Sequence, residues 1–318
     1  MDDHNNTPAF PPWLAILVGI GAVSTASIFI RFAQGYTSSL TIAAFRLGLA
    51  VLFLLPVVLL RHREEIRKLQ AREWRFAILS GVFLALHFAS WITSLEYTSV
   101  ASSVVLVSTS PLWVALLAPV FLGERMGMTV LWGLGLAFVG GAIVGLSDSC
   151  SLVGWRMICP PVASFIGGRA LWGDILALIG ALTGASYLMV GRHLRAKMSL
   201  IPYVFVVYGV AAVGLVGTML IVEGFPSGLP LRVYGWFVLL ALLPQIIGHS
   251  IFNWALRYLS TAYVSVTLLG EPVGSSILAY IFLGERPSGL KIFGAILILI
   301  GIMISSYRRR SRPRVEGT

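Results

Sequence analysis

The chain has 318 residues, 57% hydrophobic and 11% charged, with a mean hydropathy of +0.88 and a formal net charge of +10. Soluble domains carry about a quarter charged residues, so this composition excludes an ordinary water-soluble globule and fits an all-α integral membrane protein. The surplus of cations is not that of a nucleic-acid binder, because no soluble basic face with stacking aromatics accompanies it.

A bilayer core takes about 20 apolar residues per helix. Ten stretches meet that length: 13–32, 38–60, 74–95, 99–121, 127–146, 171–190, 201–222, 234–256, 261–283 and 288–307. They are too long for transmembrane strands, which alternate over about 10 residues. Residues 1–12 form a short tail without the basic region of a cleaved signal, so the first span is expected to stay. That span has a small-residue face (Gly19, Gly21, Ser24, Ser27) suited to close helix packing. The second carries Arg46, which could snorkel outward, pair with Glu271 or bind an anionic group; the sequence favours snorkelling or pairing. The third carries His87 and Trp91 at i, i+4, beside Ser90 and Ser94, and the fourth carries Ser110-Pro111.

The 147–170 connection contains Pro160-Pro161 and Gly167-Gly168 and is expected to be an irregular extracytoplasmic cap. Its Cys150 and Cys159 are either two unrelated thiols or a disulfide favoured by an oxidising compartment; no histidine lies near to make a metal site. The sixth span repeats the small-residue face with Gly180, Thr183, Gly184 and Ser186, interrupted by Tyr187, which either packs or reaches a cavity. The eighth carries Gln245, His249 and Asn253 at i, i+4, i+8, which share one face of an α-helix. The ninth carries Glu271 well inside an apolar helix, directly before Pro272, whose missing N–H is expected to leave the Leu268 carbonyl free. Residues 308–318 form a basic tail.

Phe121-Leu122-Gly123-Glu124-Arg125 recurs as Phe282-Leu283-Gly284-Glu285-Arg286 at a shift of 161 residues. Pro111 and Pro272, Ala101 and Ala262, Tyr97 and Tyr258, Gly133 and Gly294, and Gly140 and Gly301 keep the same shift. The repeat unit is half a protein, 13–146 and then 171–307. Five spans per half is an odd number, so the halves enter the membrane from opposite sides, a common transporter design. With the N-terminus inside, the inner segments hold 16 Lys and Arg against 6 outside, which sets both termini in the cytoplasm.

Polar residues within apolar spans need a partner or a watery cavity. His87, Trp91, Gln245, His249, Asn253, Glu271, Arg46 and Tyr187 are the candidate solute-binding set, and Pro111 and Pro272 the candidate hinges. The competing reading has each histidine bonding a neighbouring helix as structural glue. Glu124 and Glu285 follow helix-ending glycines and read as structural, suited to a helix N-terminus. No phosphate loop, H-E-x-x-H or nucleophile elbow is present, so no cofactor, metal or catalytic set is implied. An intramembrane enzyme would have only the two histidines and Glu271 to work with, and a sensor or assembly subunit would need no open cavity. A channel would be expected to show a ring of acids or a carbonyl filter.

The runs Gly248-His249-Ser250-Ile251-Phe252-Asn253-Trp254-Ala255-Leu256-Arg257-Tyr258, Leu269-Gly270-Glu271-Pro272-Val273 and Leu283-Gly284-Glu285-Arg286 resemble the EamA-type members of the drug/metabolite transporter superfamily. Ser108-Thr109-Ser110-Pro111-Leu112 and Leu122-Gly123-Glu124-Arg125 resemble the matching copy in the first half. The resemblance implies ten transmembrane helices as two inverted five-helix repeats around a central cavity. It also implies a cell-membrane exporter of amino acids or other small metabolites. Relatives of the same fold carry nucleotide sugars or phosphorylated sugars, for which a single deep cation, Arg46, is a poor match. Coupling to protons through Glu271 or a histidine fits the sequence, as does uncoupled movement.

Overall fold

The computed structural model describes residues 11–122, 128–147, 151–153, 156–158, 168–259, 264 and 267–306. Helices α1 (Pro12–Ser24) and α2 (Ala26–Gln34) form one span broken at Thr25. Then come α3 (Ser39–Arg61), the short α4 (Arg63–Arg67), α5 (Ala71–Tyr97), α6 (Val100–Val107), α7 (Ser110–Leu122) and α8 (Met128–Ser147). After the strands β1 (Ser151–Val153) and β2 (Arg156–Ile158) follow α9 (Arg169–Arg195), α10 (Leu200–Val222) and α11 (Leu231–Leu240). A π-helical segment, Ala241–His249, joins α11 to α12 (Ser250–Ala255), and α13 (Gly270–Leu283) and α14 (Gly289–Ser306) complete the order. Seven helices among the described residues are long and apolar enough to cross a membrane, with shorter apolar helices over 131–144 and 289–304.

The distribution of side chains is that of a protein solvated by lipid. Leu60, Phe138, Val213 and Ile221 are more than 70% exposed, whereas Arg46 and Gln245 are 0% and Asn253 1% exposed. Water would reverse that arrangement; a bilayer favours it. Helix ends are satisfied locally. Ser38 and Ser99 accept the N–H groups of Thr41 and Ser102, and Gln70 with Glu73 forms a capping box at α5.

Two of the contacts between the halves are symmetric. Glu65, just beyond α3, accepts the N–H and hydroxyl of Ser199 at the start of α10, at 2.7 and 2.5 Å. Glu223, just beyond α10, accepts the hydroxyls of Ser38 and Thr41 at the start of α3, at 2.5 and 3.0 Å. Each helix ends beside the other's beginning, so α3 and α10 run antiparallel, and each carboxylate meets a helix N-terminus. Ser38 and Ser199 stand at the same 161-residue shift as the pentapeptide. The second contact joins α8 and α14. A Cβ on Gly140 would come 2.6 Å from the Gly294 carbonyl oxygen, and one on Gly301 would come 2.6 Å from that of Gly133. Adding 161 to 133 and 140 gives 294 and 301, so this interface maps onto itself when the halves exchange.

The connection after α8 departs from the expected irregular cap. Ser151–Val153 and Arg156–Ile158 pair antiparallel, with Ser151 opposite Ile158 and Val153 opposite Arg156. Cys150, Cys159 and Glu124 lie outside the described residues.

Candidate functional site

Helix α5 packs along α9; α9 also meets α6, α7 and α12, and α5 meets α6. The interruptions give the site its backbone. Helix α6 stops at Val107, a turn covers Ser108–Thr109, and α7 restarts at Ser110-Pro111. In the second half a turn at Leu268–Leu269 precedes α13, and Pro272 sits in its first turn. Proline is tolerated there because first-turn N–H groups have no helical partner. The break that the sequence places beside Glu271-Pro272 takes the form of a turn followed by a helix start, with Glu271 in the first turn of α13. The Leu268 carbonyl is not free, since it accepts the Glu271 N–H at 2.9 Å. Pro111 and Pro272 stand in the first turns of α7 and α13, where each interrupted span restarts.

A cavity of about 60 Å³ lies between these elements. His87, Trp91, Tyr187, His249, Asn253, Glu271 and Pro111 border it, as do Ser108, Ser110, Gly184, Phe252 and Leu268, among others. Pockets for small molecules run to roughly 300 Å³ and more, so this conformation is contracted and must widen to take a solute. A larger polar depression of about 500 Å³, bordered by Arg31, Gln34, Glu96 and Arg169, lies around the short loop between α2 and α3. Polar side chains at helix ends meet water there and need no solute to explain them.

His87 is both glue and wall. Its Nδ1–H donates to the Gly180 carbonyl at 2.8 Å, leaving Nε2 to act as an acceptor. Gly184 allows this ring position, because a Cβ there would come 2.8 Å from Nδ1. The His249 ring stands 6.4 Å from that of His87 and 5.3 Å from that of Phe88. Asn253 donates from Nδ2 to the Tyr187 hydroxyl at 2.6 Å and to the His249 carbonyl at 2.8 Å. Its Oδ1 and the Trp91 Nε1 are buried with no hydrogen-bond partner. Tyr187 thus reaches the cavity and orients Asn253.

The expected stripe of Gln245, His249 and Asn253 is split. From Ala241 to His249 the helix has the wider π hydrogen-bond step, and Pro244 inside it supplies no N–H. A wider turn rotates Gln245 away from the face shared by His249 and Asn253. Gln245 instead accepts Arg46 Nε at 2.8 Å through Oε1. Arg46 does not snorkel: it is fully buried, its guanidinium carbon 4.2 Å from the centroid of the Phe88 ring and 5.9 Å from that of Trp91. Neither Arg46 nor Gln245 borders the cavity. They lie one side-chain layer behind Trp91.

Arg195 was counted among loop charges that orient the chain. It is only 2% exposed and donates from Nε to the Asn253 carbonyl at 3.1 Å and from Nη1 to that of Met198. Nothing in sequence separates it from its neighbours Arg192 and Lys197. Phe88, the ring beneath Arg46, escaped notice because an apolar residue in an apolar span carries no signal. Glu285 is structural as expected, but at a helix of the other half. It accepts Arg31 Nη2 at 3.3 Å and the Val100 N–H, at the start of α6, at 3.0 Å.

An apolar exterior, buried polar side chains and helices interrupted beside a cavity define the class: a multi-pass membrane transporter. The chain belongs to the EamA-like transporter family, whose model matches residues 12–146 and 171–307, the two halves marked by the internal repeat. It is similar to a probable terminal-alkyne amino-acid exporter of Streptantibioticus cattleyicolor, 25% identical over 98% of this chain and 92% of that protein. It is also similar to a riboflavin transporter of Rhizobium johnstonii, 27% identical over 86% of this chain and 84% of that protein. A solved crystal structure, 17% identical, shares the fold with a TM-score of 0.62 over 92% of this chain and 98% of that one.

Proposed function

We propose that this chain is a secondary transporter that exports a small amphipathic metabolite, an amino acid or a related compound, across the cell membrane by alternating access. Ten spans form two inverted five-helix repeats, 13–146 and 171–307, with both termini cytoplasmic. The reciprocal caps between α3 and α10 support this reading, as does the glycine contact of α8 with α14, since both return to themselves when the halves exchange. The solute site comprises His87, Trp91, Tyr187, His249, Asn253 and Glu271, with Arg46 and Gln245 behind them. The observation that carries the reading is the cavity itself. Trp91 and Phe252 supply apolar surface, while Asn253 Oδ1 and Trp91 Nε1, unpaired among the described residues, and the Glu271 carboxyl supply polar capacity at the helix breaks. The exporter of Streptantibioticus cattleyicolor named for an amino acid supports the solute class.

Counterflow in proteoliposomes tests it. Vesicles holding the purified chain and a millimolar unlabelled solute should transiently accumulate the same labelled solute for at least one of a panel of amino acids, purines, sugars and riboflavin. Absence of counterflow for the whole panel, with folded protein in the vesicles, refutes transport.

A further inference from the structure

Among the described residues, three donor groups in the centre of the bundle are buried without hydrogen-bond partners, and they cluster. The two Nη atoms of Arg46 are unpaired, as are Gln245 Nε2 and Trp91 Nε1. Gln245 Oε1 holds Arg46 by Nε, and the guanidinium lies over the Phe88 ring and near that of Trp91. The bond through Nε and the ring beneath fix the guanidinium plane and leave its outer edge, the fork that fits a planar two-oxygen anion. Glu271 does not pair with the guanidinium: among the described residues neither Nη of Arg46 has a hydrogen-bond partner. On the cavity wall are groups of the opposite character: the Asn253 Oδ1, unpaired among the described residues, and the Glu271 carboxyl.

Unused donors and acceptors gathered at one cavity match a zwitterion. We infer that Arg46, positioned by Gln245, is the receptor for a solute carboxylate, with Trp91 Nε1 as a further donor, and that Glu271 and Asn253 Oδ1 receive the solute ammonium. The solute class is an α-amino acid with an apolar side chain. Because Arg46 lies one layer behind the cavity wall, the carboxylate reaches it only when the contracted cavity widens past Trp91. This assignment rests on the transport reading above and narrows it.

The experiment uses the full-length protein in liposomes. Labelled leucine, phenylalanine and methionine are measured in counterflow, each against its decarboxylated amine and its deaminated acid as competitors; glucose and uridine serve as labelled solutes without a carboxylate. At least one amino acid should move, and neither of its truncated analogues should compete at equal concentration. Arg46→Gln should raise its half-saturation concentration at least roughly 30-fold, the loss typical of removing one partner of a buried charge-assisted pair. Should that variant fail to fold, Gln245→Glu keeps size and the bond to Arg46 but places a carboxylate beside the guanidinium. It should weaken amino-acid uptake roughly tenfold or more by occupying the receptor. Movement of glucose, uridine or an amine without any amino acid leaves the transporter standing and overturns the assignment. Unchanged half-saturation in folded Arg46→Gln or Gln245→Glu overturns it too. If no solute moves, both readings fall.

Discussion

Asn253 links three elements through one amide. It ties α12 to α9 through the Tyr187 hydroxyl and to the π segment through the His249 carbonyl, while Arg195 holds its own carbonyl from the end of α9. The amide is 1% exposed, so a lost bond is not replaced cheaply by water. Removing the Tyr187 hydroxyl leaves Asn253 free to turn and blurs the position of Oδ1. Tyr187→Phe is therefore expected to weaken solute half-saturation by about 1–2 kcal/mol, roughly 5- to 30-fold, with little change in the amount of folded protein. Asn253→Ala should cost at least as much, and the double variant less than the sum, with a coupling of about 1 kcal/mol. Additive effects in the counterflow assay would show that the two residues act separately. The pair also marks where sequence reasoning stops. Asn253 and Tyr187 each stood out as polar residues in apolar spans, because lipid makes such residues costly to leave alone. That they bond to one another depends on how α9 and α12 cross, which neither span encodes by itself.

At the scale of elements, the spans were legible because hydrocarbon requires long apolar runs, and the repeat was legible because it preserved glycine and proline spacing. The π segment was not. Gln245, His249 and Asn253 fit an α-helical stripe equally well, and Pro244 only permits the wider turn; the surrounding helices select it. The break at Glu271-Pro272 was legible from the proline, but not its form, a turn in which the Leu268 carbonyl accepts the Glu271 N–H. Glycine is the opposite case, a spacing whose meaning the structure makes quantitative. At Gly140 and Gly301 an added Cβ would meet not a movable side chain but backbone of the facing helix, the Ile298 nitrogen and the Ala137 nitrogen, each at 2.8 Å. Alanine at either position must push α8 and α14 apart. Gly140→Ala or Gly301→Ala should each destabilise the protein by about 1–3 kcal/mol, visible as a lower Tm in detergent. Gly21 has nothing within 4 Å of its would-be Cβ, so Gly21→Ala should leave Tm unchanged or slightly raised and serves as the control.

The whole molecule is governed by how its halves are set against one another. Glu65 lies at the start of α10 and Glu223 at the start of α3, so the segment after α3 and the segment after α10 occupy opposite ends of the bundle. The first of these segments carries Arg61, Arg63, Arg67 and Lys68; the second, Glu223–Pro230, carries no Lys or Arg. Cationic loops stay in the cytoplasm, so Lys68 is expected inside and Ser227 outside. In a background with Cys150 and Cys159 replaced by serine, Ser227→Cys should react with a membrane-impermeant maleimide on intact cells, and Lys68→Cys only after permeabilisation. The reverse pattern would keep the antiparallel halves but turn the chain over in the membrane. Labelling of both from one side would mean that α3 and α10 do not run antiparallel across the lipid. The inverted repeat would then be lost, and with it the exchange of shapes between halves by which a site this contracted could open first to one side and then to the other.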